Sequence, residues 1–116
     1  VYEFTAENGY LTAKELLDSG KKFTAVFAIS DMMAFGVYKA IQEKGLRIPE
    51  DISVMGFDGL ALTNFYHPSL TTMCQPCDLM VKASIDVLLG AINDGTQGEQ
   101  RIFPAELVIR DSVKKL

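Results

Sequence analysis

Residues 23–59 read FTAVFAISDMMAFGVYKAIQEKGLRIPEDISVMGFDG, and this stretch decides the fold. Ala25-Val26-Phe27-Ala28-Ile29 is a short apolar run, the pattern of a strand buried on both faces. Ser30-Asp31 then offers a helix cap, with Asp31 the better candidate, and Met32 to Lys44 carries apolar side chains at helical spacing. Gly45 stops that helix, Pro49 marks the turn, and Ile52 to Phe57 is a second buried strand ending in Asp58-Gly59. Two parallel strands joined by one helix form a right-handed crossover unit. In such sheets small ligands bind beyond the carboxyl ends of the strands, where Ser30, Asp31 and Asp58 fall.

Outward from this unit, Tyr10, Leu11, Leu16 and Leu17 give a partial apolar stripe that predicts a helix between Asn8 and Ser19, closed by Gly20. Val1 to Phe4 reads as the end of a strand. Leu60 to Ser69 is a mixed loop, and Leu70 to Gln75 is extended. Pro76 suits the first turn of a helix running to about Asn93, with Val81, Ile85, Leu88 and Ile92 on one face and Gly95 at its end. A polar turn from Gly95 to Gln100 follows, and Glu106 to Asp111 alternates polar and apolar as a strand with one wet face.

The chain has 116 residues, 48% of them hydrophobic, which suits one compact domain or part of one. No apolar run approaches the roughly 20 residues of a membrane span, and no signal peptide is evident at the N-terminus. The formal charge of −4, with no Lys and Arg cluster, makes this segment a poor partner for a phosphate backbone. Cofactor motifs are absent.

Asp58 is the first candidate for ligand contact, since a carboxylate at a strand's carboxyl end can accept two hydrogen bonds from hydroxyls or ring N–H groups. Asp-Gly is equally a common turn pair. Phe4, ahead of the polar run Thr5 to Asn8, could stack on a sugar or purine face or close a core at a strand end. Cys74-Gln75-Pro76-Cys77 has the spacing of a redox pair or half a zinc site. The chain lacks Trp, and His67 is the one further soft ligand, so packing thiols in a reducing compartment are expected. His67, beside Pro68, reads as a turn residue with no nucleophile to serve. Phe35 and Tyr38 share a helical face.

GLRIPEDISVMGFD together with HPSLTT, Gln75-Pro76 and ELVIRDS, in this order and spacing, resembles the effector-binding domain of lactose-repressor and purine-repressor type transcription regulators. The resemblance covers nearly the whole chain. It implies an α/β, periplasmic-binding-protein-like (type I) fold with a parallel sheet flanked by helices. Residues 1–74 and 97–116 would belong mainly to the second lobe of a two-lobed domain, and 75–96 to a crossover and a first-lobe helix. It further implies that Asp58, Phe4 and Ser30 contact the effector, although Ser30 stands where several members carry Asn. Gln75 would line the cleft or act as a solvated hinge residue. Tyr10, Phe35, Tyr38 and Tyr66 would form a homodimer patch.

The implied protein is a cytoplasmic regulator, not an enzyme, that binds a sugar or nucleobase-like effector and changes its hold on operator DNA. The DNA would be read by a helix-turn-helix head not found in residues 1–116. Two rivals remain: a periplasmic sugar-binding protein of a transporter, which shares the GFDG signal, and a thiol oxidoreductase resting on Cys74 and Cys77 alone.

Overall fold

The computed structural model describes residues 3–95 and 98–115. Its chain forms two compact units, Val1–Cys74 with Leu107–Leu116, and Gln75–Glu106. The chain returns to the first unit at 106–107.

The first unit opens with helix α1, Ala6–Asp18. Thr5 caps it, its hydroxyl accepting from the Asn8 amide at 3.2 Å. Strand β1, Ala25–Phe27, leads into helix α2, Asp31–Glu43, and strand β2, Ser53–Asp58. The C-terminus of α2 is a Schellman motif: the Gly45 amide donates to Gln42 O, the Leu46 amide to Ile41 O, and Gly45 takes φ 72°. A 3-10 turn, Ala61–Asn64, interrupts the expected loop, and strand β3, Thr71–Cys74, follows. In the second unit helix α3 spans Cys77–Asp94, with Gly95 as its left-handed cap at φ 62°. Strand β4, Glu106–Val108, is shorter than expected: beyond it the Arg110 amide donates to Thr71 Oγ1 and Asp111 accepts from the Ser69 hydroxyl, side-chain bonds in place of a ladder. Val1 and Tyr2, within the expected first strand, and Thr96 and Gln97, within the expected turn, lie outside the described residues; Glu3 and Phe4 are not in a strand.

The sheet order is β1-β2-β3-β4, with β1-β2 and β2-β3 parallel. Val26, Val54 and Gly56 share the face covered by the helices; Phe27, Met55 and Phe57 share the other. Burial of β1 on both faces is thus corrected: Phe27, on the face away from the helices, is 58% exposed. On α3 the stripe Val81, Ile85, Leu88 and Ile92 is present but exposed.

Helices α1 and α2 cross closely enough that glycine is required at the contact. A Cβ on Gly9 would overlap the Met33 carbonyl, and one on Gly36 the Ala6 carbonyl. Beneath them Ile41, Val54 and Leu70 are fully buried, each contributing roughly 1.5–3 kcal/mol. Ser112 sews the amino ends of the strands together. Its hydroxyl donates to Val54 O at 2.6 Å and accepts from the Thr71 amide at 2.8 Å. The Arg110 guanidinium donates to Thr63 Oγ1 at 3.0 Å and Leu70 O at 2.7 Å, anchoring the 3-10 turn. These bonds give the ELVIRDS segment its structural role.

Candidate functional site

Parallel pairing puts the ends of β1, β2 and β3 on one edge. Asp58 lies opposite Cys74 in the register, and Ser30 follows β1 by the short link Ala28-Ile29. Helix α1 delivers the chain to the amino end of β1, so its own first turn lies toward this same carboxyl edge. The contact of Gly9 with Met33 agrees, since both belong to first turns. Phe4, just ahead of α1, is 63% exposed, as a stacking ring must be.

The helix cap is Ser30, not Asp31: the Ser30 hydroxyl accepts from the Met33 amide at 3.2 Å. Ser30 is 7% exposed, so its hydroxyl is committed first to the cap. Asp31 is fully buried at the first position of α2, where the helix dipole favours a carboxylate. Its Oδ2 accepts from the amides of Gly59 at 2.9 Å and Leu60 at 2.8 Å, and its Oδ1 from the Thr72 hydroxyl at 2.6 Å. Gly56 exists to admit this carboxylate, because a Cβ there would collide with Asp31 Oδ1. Gly59 is needed twice. It adopts φ 82°, and a Cβ on it would lie 2.5 Å from Cys74 Sγ.

Between these glycines, Asp58 is half-buried with φ 118°, the one non-glycine residue at positive φ among those described. Such a conformation costs of order 1–3 kcal/mol and concentrates at functional sites. Gln75 opens the second unit and is half-buried. Cys74 and Cys77 are thiols, not a disulfide, and Cys74 packs against Gly59. Among the described residues no group of three or more His, Cys, Asp and Glu side chains could hold a metal ion. No described helix is long and apolar enough to cross a membrane.

The expected dimer patch divides. Phe35 and Tyr38 are 5% and 1% exposed, so they belong to the core of their own unit and reach the surface only as the floor of a groove. Tyr66 closes over them, stacked on Phe35 with ring centroids 3.9 Å apart and edge-on to Tyr38 at 5.7 Å. The Tyr38 hydroxyl donates to Pro68 O at 3.1 Å, and burial pushes its pKa up to about 12. Tyr10 and Tyr66 remain half-buried and line a groove with Leu11, Lys39 and Gln42. Tyr10 donates to Glu43 at 2.6 Å, which raises its pKa, and Lys39 lies 4.9 Å from its ring centroid.

A sequence profile of the periplasmic binding protein-like domain matches residues 2–113. The chain belongs to that family. The members it resembles are LacI-type regulators. It is 40% identical to the HTH-type transcriptional regulator MalR of Clostridium butyricum over 95% of this chain and 33% of MalR. It is 41% identical to the HTH-type transcriptional repressor PurR of Vibrio cholerae over 97% of this chain and 34% of PurR. A LacI family regulator from Enterococcus faecalis, solved with bound ribose, superposes with a TM-score of 0.90 at 33% identity, covering 98% of this chain and 42% of that one. The chain thus spans about a third of the length of these curated relatives.

Proposed function

We propose that this chain is the effector-sensing and dimerising part of a LacI-type transcription regulator. A small polar ligand, a sugar or a nucleobase, binds at the carboxyl edge of the first unit's sheet. Asp58 accepts hydrogen bonds from its hydroxyl or ring N–H groups, and Phe4 stacks on its face. The observation that carries this reading is the backbone of Asp58. A turn alone would be served at lower cost by glycine at position 58; an aspartate held at φ 118° is explained by use of its carboxylate. The ribose held by the similar Enterococcus regulators supports a ligand of this class.

Ligand binding favours one conformational state only by its difference in affinity for the two. That shift alters operator binding by a helix-turn-helix head of the same protein, since an acidic surface of net charge −4 repels DNA. Tyr10, Leu11 and Tyr66 supply the subunit contact, with the solvent-facing Phe65 beside them. Titration calorimetry of the intact protein with D-ribose and with purine bases tests the site. Asp58→Ala is expected to weaken the binding seen in the wild type by roughly ten- to a hundred-fold, the loss of a charged hydrogen bond. Unchanged affinity would remove Asp58 from the site.

A further inference from the structure

The structure assigns Asp31 as the positioning residue for Asp58: its carboxylate grips the two amides that follow Asp58 and so holds the φ 118° backbone in place. The inference rests on the ligand-site reading above. Its geometry is independent of that reading. The Gly59 N–H belongs to the peptide plane joining residues 58 and 59, so an acceptor 2.9 Å away fixes the orientation of that plane. The Leu60 N–H, 2.8 Å from the same oxygen, fixes the next one. The plane before Asp58 is held by the pairing of β2 with β3, so with the 58–59 plane fixed by Oδ2 as well, Asp58 has little freedom to relax toward an ordinary strand conformation.

The grip is itself immobile. Asp31 is fully buried, its backbone is locked into the first turn of α2 behind the Ser30 cap, and Thr72 holds the other oxygen at 2.6 Å. Gly56 supplies the space beneath it. Buried groups satisfied on every side are where a strained neighbour can be over-determined by its surroundings. Asp31 touches no ligand in this account; it acts through Asp58.

NMR of the intact protein tests this without any ligand. The readouts are the Asp58 amide-to-Hα coupling and Cα shift, which report its φ, and the exchange rates of the Gly59 and Leu60 amides. In Asp31→Ala, Asp58 is expected to leave positive φ, and both amides to exchange roughly ten- to a hundred-fold faster. Asp31→Asn keeps an oxygen for the amides while Thr72 turns to accept from the new amide group, so it is expected to restore the Asp58 signature. A purely architectural role for Asp31 would not give that rescue together with a local change. If Asp31→Ala fails to fold, Thr72→Val decides, since it leaves Asp31 in place but frees one oxygen, and it is expected to move both readouts the same way. An Asp58 signature and amide exchange unchanged in a folded Asp31→Ala, or in Thr72→Val, overturns the inference. Failure of the ligand reading would show instead in the Asp58→Ala titration, leaving these spectra as expected.

Discussion

Asp58, Asp31 and the two glycines beside them behave as one local device, and substitutions within it have distinct signatures. Gly56→Ala forces a methyl group into the Asp31 carboxylate. It is expected to destabilise the protein by about 1–3 kcal/mol, read as a lowered urea midpoint with an unchanged slope. Tyr38 offers a pH test. Its folded pKa, about 12, lies above the ordinary tyrosine value near 10, so its contribution to stability is complete below pH 10 and lost between pH 10 and 12. Tyr38→Phe is therefore expected to be less stable at neutral pH by about 1 kcal/mol, for the lost bond to Pro68, yet to lose less stability than the wild type over that alkaline range. Chemical denaturation at pH 8, 10 and 11.5 checks both halves. At this scale the sequence exposes Asp58, because Asp-Gly after an apolar run marks a strand's end. It hides the rest. The partners of Asp31 lie 28, 29 and 41 positions away, beyond the reach of any local pattern, and Ser30 and Asp31 look equally fit to cap until the geometry chooses.

Elements are the scale at which the sequence was most legible, since caps and stops are local. Thr5, Ser30, Gly45 and Gly95 place the ends of three helices close to where spacing predicts them. Burial was less legible, because it depends on what arrives from elsewhere. The apolar run of β1 suggested cover on both faces and has it on one, and the α3 stripe is exposed. Phe35 and Tyr38 do share a face, as their spacing required, but that face meets Tyr66 and the core rather than solvent. Phe35→Asp would bury an unpaired charge. It is expected to cost more than about 4 kcal/mol and to unfold the unit, where a surface residue would only have changed assembly; circular dichroism separates the two outcomes. Gly36→Ala, which pushes α1 from α2 at the Ala6 carbonyl, is expected to lower the melting temperature by several degrees without altering ligand selectivity.

For the whole molecule, the proposed ligand edge and the proposed assembly surface each have their own test. A Tyr10→Ala, Leu11→Asp double variant is expected to turn a dimer into folded monomers by light scattering, because a twofold contact loses both copies of the surface at once. A wild type that is monomeric at micromolar concentration would favour a transporter binding protein. The curated relatives are about three times as long as this chain, and under the proposed function its share of their work is ligand sensing. A ligand that binds only the folded state raises its stability by about 2.7 kcal/mol at a hundred times its dissociation constant. The most direct measurement is thus a thermal-shift comparison of the intact wild type and Asp58→Ala against a panel of pentoses, hexoses and purine bases. At least one compound is expected to raise the wild-type melting temperature and leave that of Asp58→Ala nearly unmoved. A panel whose compounds shift both proteins equally, or shift neither, would contradict it.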